Sequence, residues 1–402
     1  MFAALQGAAK ALLWVRVLNQ LGAYALAFLA VLAGPDLAPA ALAIFGVAAL
    51  LSRWGGALLL DRLPPGLTVS AGLGATGLSL LILAFARTPG QVLVAVALVG
   101  LAFEIYEPAS QELVAAVTEG GRRQEMYGLL GNALVAAGAV AGLIAAVLLP
   151  LGVRWLVVVD ALTCLGASAL ALAFLPRDRL APPSPRRGRW RPPAVLVRFT
   201  LAGTAFAVGY LAVVMFLPLT LLRRGAPAWL PGLVLAGAAL LAPVALWATR
   251  RPLAARPHAA VLAAGAVALG VLAVAMASAQ GLVLIIGAYL AWTAVNGVLL
   301  GRWMSLVADA APEAERPRWF AFLGLSWGVA QPVLPGVVVL AEGIAGTSGS
   351  AAFLTAGAAF LLVPLLLPAR RPARRPARPS PGVRPESCSP EPPAPSATGH
   401  PP

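Results

Sequence analysis

The chain has 402 residues, of which 60% are hydrophobic and 11% charged, and its mean hydropathy is +0.87. That is more apolar surface than one soluble core could hide, so the composition excludes a soluble globular protein and points to a polytopic membrane protein. A net charge of +14 would suit a nucleic-acid partner, but the basic residues fall in short loops between apolar runs rather than on a separate domain, so none is expected.

The apolar runs are too long and too continuous for barrel strands, which alternate over about ten residues, so the spans are helices and the fold class is all-α. About 20 apolar residues at 1.5 Å each cross the hydrocarbon core. Spans of that kind are predicted at about 11–33, 40–60, 67–86, 91–115, 127–149 and 153–175. Six more follow at about 195–222, 230–249, 259–278, 281–302, 319–341 and 350–367. Between the two sets, residues 176–193 carry six arginines among prolines and read as a solvated basic linker. The expected organisation is therefore twelve transmembrane helices in two six-helix bundles, 1–175 and 194–368, joined by that linker and followed by a tail over 369–402. The tail holds eleven prolines; it is expected to be disordered, its basic start lying against anionic lipid.

If both ends of the chain and the even-numbered loops share one side, that side collects Lys10, Arg62, Arg122, Arg123, Arg250, Arg251, Arg256, Arg302, Arg316, Arg318 and the arginines of linker and tail. The other side keeps Arg87, Arg154, Arg223 and Arg224. This asymmetry predicts an integral protein of the inner or plasma membrane with both termini in the cytoplasm. Trp14, Trp54, Trp190, Trp247, Trp303 and Trp319 fall near the predicted cytoplasmic ends and Trp155 and Trp229 near the external ends, where indoles favour the headgroup layer. Arg16, Asn19 and Gln20 interrupt the first apolar run, so it is expected to be a retained span rather than a cleaved leader. Cys164 within a span and Cys388 in the tail provide neither a disulfide framework nor metal-ligand spacing.

Two motifs carry a family resemblance. The turn after the second span, from Arg53-Trp54-Gly55-Gly56 to Asp61-Arg62, resembles the loop between helices two and three of the major facilitator superfamily. The resemblance implies that Asp61 and Arg62 latch the cytoplasmic side in one state; Ala57 stands where the family has glycine, and Pro64-Pro65-Gly66 follow where it has Gly-Arg-Arg. The run from Glu107-Pro108-Ala109 through Glu119 to Arg123, Tyr127-Gly128 and the ladder Gly138 to Gly142 is similar to helices four and five of the drug-exporter-like members. Small residues spaced by four let two helices approach closely, as a rocking interface needs. The antiporter signature has Gly-Pro in that ladder; here Leu143 follows Gly142. Asp160, in Val159-Asp160-Ala161-Leu162-Thr163-Cys164, is similar to a position in the enterobactin-exporter-like branch. The second half matches only in span count, loop charge and a Gly/Pro-rich eleventh span.

Charged groups inside spans are costly in lipid and should face a cavity or a partner. Arg16, Arg53 and Glu107 lie about 9–12 Å in from the cytoplasmic ends of their spans, at 1.5 Å per residue. Glu104 and Glu107 are three apart, which puts them on one helix face, and Pro108 frees a backbone carbonyl beside them. Two readings stand: Arg16 or Arg53 pairs with this acidic couple and one glutamate exchanges a proton, or the pair is a fixed bridge joining helices one, two and four. Asp160 lies nearer the external side, as a packing group or a second titrating site. Asn19, Tyr289, Trp292, Asn296 and Gln331 are the polar and aromatic groups available to line a substrate cavity, and such a lining suits an amphipathic or apolar ligand.

The resemblance and the span count imply a secondary transporter in which two bundles rock about a central site. Proton-coupled export of hydrophobic or amphipathic small molecules by a monomer is the leading expectation, and a facilitator or uptake transporter for a metabolite is the alternative. A polytopic membrane enzyme would need a nucleophile, base or metal cluster. His258 and His400 are the only histidines, and neither a Gly-x-Ser-x-Gly nor a phosphate-cradling loop is present. No cofactor is expected.

Overall fold

The structure is a computed structural model, and it describes residues 7–60, 62–116, 122–177, 190–312, 315–345 and 350–367. A backbone surrounded by lipid must satisfy its own hydrogen bonds, which long apolar helices do within one segment. The first crossing consists of α1 (Gly7–Gly22), a 3-10 run (Ala23–Phe28) and α2 (Leu29–Ala33). Then come α3 (Ala38–Leu60), α4 (Pro65–Phe85), α5 (Pro89–Phe103), α6 (Tyr106–Ala116), α7 (Arg122–Leu148) and α8 (Val153–Phe174). The second half contains α9 (Ala194–Arg223), α10 (Leu230–Thr249), α11 (His258–Ser278), α12 (Leu282–Ala310), α13 (Arg316–Ala345) and α14 (Ala351–Leu366). Ten of the crossings are long and apolar enough to span a membrane; the α1–α2 crossing and the 16-residue α14 bring the number to twelve among the described residues.

The helices form one compact unit that ends at Leu367. In the first half α4 packs on α8 and α5, α3 on α5, and α1 on α8 and α7; in the second, α9 packs on α13 and α14, and α11 on α12 and α14. The halves meet where α7 packs on α10, α3 on α13, and the first crossing, through its 3-10 run and α2, on α9. The outer surface is apolar, with Phe85, Val147, Leu340 and Leu365 all exposed, as lipid-facing positions should be. The side on which α1 begins and α3 ends carries Arg62, Arg250, Arg251 and Arg256 and is called the basic face below; the other is the opposite face.

Three expectations are corrected. The fourth crossing is not one helix: Pro108 has no N–H to give the carbonyl of Glu104, so α5 stops there and Glu107 N bonds Glu104 O at 3.3 Å before α6 continues. The tenth crossing runs to Ala310 rather than to about 302, because apolar residues continue past Arg302 and that side chain turns aside to the Leu253 carbonyl at 2.9 Å and to His258. Trp303 and Trp319 are not headgroup anchors but buried core; Trp303 packs edge-on to Phe206 with ring centres 5.6 Å apart. Trp14, Trp54, Trp247, Trp155 and Trp229 are exposed on the outside. Most of the linker, Arg122 and Arg123's side chains, and the tail lie outside the described residues. Where the chain is described again, Trp190 and Trp319 both donate to one carboxylate oxygen of Glu315, at 3.3 and 3.2 Å.

Candidate functional site: a polar chain inside an apolar bundle

Both arginines find acidic partners, one each. Arg16 on α1 pairs with Glu107 on α6, and Arg53 on α3 pairs with Glu104 at 3.3 Å. The break at Pro108 gives the two carboxylates separate settings. Glu104 ends α5, where its backbone N–H takes the Ser52 hydroxyl at 3.0 Å. Glu107 lies in the first turn of α6, where a negative charge complements the helix dipole, and Gln111 donates to it at 2.8 Å. They do not share an unbroken helix face, as their spacing of three suggested.

The remaining donors of each guanidinium extend the cluster in different directions. Arg53 gives its other nitrogen to the backbone carbonyl of Gly324 on α13 at 2.9 Å, so this side chain ties the two halves together near the basic face. Arg16 lies over the ring of Tyr106, 5.4 Å from its centre. The Tyr106 hydroxyl accepts from Asn19 at 3.3 Å, and the Asn19 oxygen faces the Cys164 thiol at 3.4 Å. That thiol in turn is 3.6 Å from Asp160. Asp160 is 4% exposed and does not touch the arginine pairs, but Cys164, Asn19 and Tyr106 connect it to them. Asn19, Gln20, Thr76, Tyr106, Asp160 and Cys164 line a cavity of about 150 Å³ within the first half.

The predicted cavity set therefore divides. Asn19 belongs to this first-half cavity. Tyr289 and Trp292 stack on α12 with centres 6.0 Å apart and planes at 13°, and Tyr210 of α9 and Trp327 of α13 extend the aromatic cluster, 5.6 Å from Trp292 and 5.2 Å from Tyr210 respectively. Asn296 is buried one turn along, and its oxygen and the Trp292 indole N–H have no hydrogen-bond partner among the described residues. Gln331 lies at the seam between halves, its backbone against Gly46 of α3, where a Cβ would come within 2.5 Å of the Gln331 carbonyl carbon.

Of the two ladder glycines, Gly142 is the one in backbone contact: a Cβ there would meet Ala236 of α10 at 2.5 Å. At Gly138 the nearest atoms are Tyr24 Oη and Ala239 Cβ, at 3.8 and 3.9 Å. Asp61 lies outside the described residues. Arg62 follows it in the turn, its N–H on the Leu59 carbonyl at 2.9 Å. Sequence reasoning missed Tyr106, Cys164, Tyr24, Tyr210 and Trp327. The available signal was scarcity: the chain has five tyrosines, and Tyr24, Tyr106, Tyr210 and Tyr289 all lie within spans.

Comparison with solved structures identifies the same fold. A peptide transporter POT in complex with sulfate superposes with a TM-score of 0.71 at 15% identity over 91% of this chain and 96% of its own. A POT family transporter in complex with 5-aminolevulinic acid gives 0.73 at 12% identity, covering 91% and 98%. The nucleoside transporter NupG gives 0.72 at 11% identity, covering 89% and 98%. No curated protein matches the sequence. The sequence profile of the Major Facilitator Superfamily matches residues 12–301, well over half of the chain; the protein belongs to that superfamily and is an integral membrane transporter rather than an enzyme.

Proposed function

We propose that this transporter works by alternating access and exports hydrophobic or amphipathic small molecules against protons, as a monomer in the cell membrane with both termini cytoplasmic. The observation that carries the substrate class is the lining of the second half. Tyr210, Tyr289, Trp292 and Trp327 form an aromatic cluster, and the buried Trp292 and Asn296 leave polar atoms beside it without a partner among the described residues. Such a site gives an amphipathic guest apolar contact and a few hydrogen bonds without demanding charge. Proton exchange is assigned to the acids of the first half, Glu104, Glu107 and Asp160, and release of a carboxylate from its arginine as the helices move is the step that changes its hold on a proton. The bundles 1–175 and 194–368 are the rocking bodies, and the Asp61–Arg62 turn their basic-face latch.

The same unpartnered hydrogen-bonding atoms favour one second reading, uptake or facilitated passage of a small polar metabolite. The test is lumenal pH in proteoliposomes under an imposed proton gradient while lipophilic cations, neutral amphiphiles and small metabolites are added in turn. Proton release driven by an amphiphile, and lost in Glu104→Gln or Glu107→Gln, supports antiport. Passage of a metabolite without proton movement supports the second reading and makes the arginine–glutamate pairs structural.

A further inference from the structure

The cavity around Asp160 presents oxygen atoms and little to satisfy them. Its volume of about 150 Å³ is room for about five waters at 30 Å³ each. Among the described residues the Asp160 carboxylate meets one side-chain donor, the Cys164 thiol at 3.6 Å, and the same weak donor faces the Asn19 oxygen at 3.4 Å. Asn19 spends its amide N–H on the Tyr106 hydroxyl at 3.3 Å, which leaves its oxygen to the Cys164 thiol. Thr76 gives its proton to the Gly72 carbonyl at 2.9 Å, so its oxygen lone pairs are what it offers the cavity. Two acceptors, one of them a carboxylate oxygen, thus converge on a thiol, with Thr76 and Gln20 on the wall.

The charges nearby do not cancel Asp160. Arg16, the cation on the adjoining face of α1, is committed to Glu107 and to the Tyr106 ring. From α5 and α4 the cavity receives Phe103, Val99, Leu80 and Thr76, none of them cationic. α1 ends at Gly22, directly against Asp160, and the end of a helix adds partial negative charge. A buried carboxylate beside a helix C-terminus calls for a positive partner. Bound hydrogen alone would need no room, and the room is there. No three His, Cys, Asp or Glu side chains gather among the described residues, as a divalent ion would favour.

We propose that this cavity is a binding site for a monovalent cation of sodium size, held by the Asp160 carboxylate with the oxygens of Asn19, Gln20 and Thr76. Hard cations take oxygen ligands, and sodium competes there with the proton. As a coupling site it rests on the transport reading above; as a binding site it does not. The broken first crossing, with its 3-10 run directly after Gly22, places the ion where a change in α1 would be felt.

The test uses the purified full-length chain in detergent without any substrate. Its melting temperature is followed as sodium chloride replaces choline chloride at constant ionic strength and pH, and radioactive sodium binding is measured directly. The expected result is a saturable rise of about 2 °C or more with sodium, absent in Asp160→Asn, with the midpoint moved up at least about tenfold in Thr76→Val. Should Asp160→Asn fail to fold, the direct binding assay on the native chain and Thr76→Val still decide. The proposal is overturned if sodium and choline are indistinguishable on the native chain, which would leave Asp160 to protons alone, or if both variants keep the full sodium response. Neither outcome depends on whether amphiphiles are exported.

Discussion

Replacing Gly142 by alanine adds one methyl group at the seam where α7 meets α10. The new Cβ would lie 2.5 Å from Ala236 N, 2.7 Å from its Cα and 2.8 Å from its Cβ. Two of those atoms are backbone, so no side chain can rotate away, and α10 must withdraw locally by about 0.9 Å to restore an ordinary separation of 3.4 Å. Overpacking of this kind costs about 1–3 kcal/mol, and about 1.4 kcal/mol shifts a two-state equilibrium tenfold. The contact lies toward the opposite face, so the expected result is a population in which that face is open. Spin labels at Leu151 and Trp229, exposed near the opposite-face ends of the α7 and α10 arms, should show a second, longer distance in Gly142→Ala. Gly138→Ala is the control one turn away, where the added carbon meets nothing closer than 3.8 Å; it should melt at or slightly above the native temperature, since alanine favours helix over glycine by about 1 kcal/mol. If Gly142→Ala matches Gly138→Ala in both distance distribution and melting, the close approach of α7 and α10 does not hold the opposite face.

Arg53→Gln removes both the Glu104 pair and the bond to the Gly324 carbonyl; because Arg53 is about one-third exposed, the expected loss is about 1–2 kcal/mol, read by thermal melting, together with greater labelling of cysteines near the basic face. A double-mutant cycle of Arg16→Gln with Glu107→Gln should give a coupling energy of about 1 kcal/mol or more, since both groups are largely buried and Gln111 adds a bond to the same carboxylate; additive effects would mean the pair contributes nothing. Asn296→Leu removes a buried oxygen with no partner among the described residues and is expected to raise stability by about 1 kcal/mol while slowing transport at least about tenfold if that oxygen receives substrate; unchanged transport would place the substrate elsewhere.

The fold was legible because lipid leaves the backbone few choices. Apolar runs of about 20 residues bounded by charge had to be helices, and the observed crossings begin and end near the predicted limits except where Arg302 was read as a terminus. The break at Glu104 was legible in part, since Pro108 announces a freed carbonyl, but sequence does not say whether a proline helix bends or stops; Pro218, Pro243 and Pro332 sit inside helices that continue. Pairing was harder. The depths of Arg16, Arg53 and the two glutamates agreed, yet which arginine met which acid depends on helix rotation and crossing. The bond from Arg53 to Gly324 joins residues 271 apart through a backbone atom that carries no sequence signal. Asn19 was grouped with the aromatic residues of α12 because polarity in a span is visible and direction is not; its amide instead faces Tyr106 and Cys164.

The two halves are joined differently toward their two faces. Toward the opposite face the contacts are backbone against backbone, at Gly142 with Ala236, Gly232 with Ala146 and Gly46 with Gln331; toward the basic face a guanidinium reaches across to one carbonyl. Dispersion forces between closely fitted surfaces lose about a quarter to a half of their strength over a gap of about 0.5–1 Å and are indifferent to salt, whereas a charged donor can follow its acceptor over some distance and exchange it for water. Unsealing the opposite face is therefore an abrupt event, with little return until the surfaces have parted. Loosening of the basic face is gradual and responds to ionic strength. A molecule so built would show a salt-dependent rate for one half of its cycle and a salt-independent rate for the other.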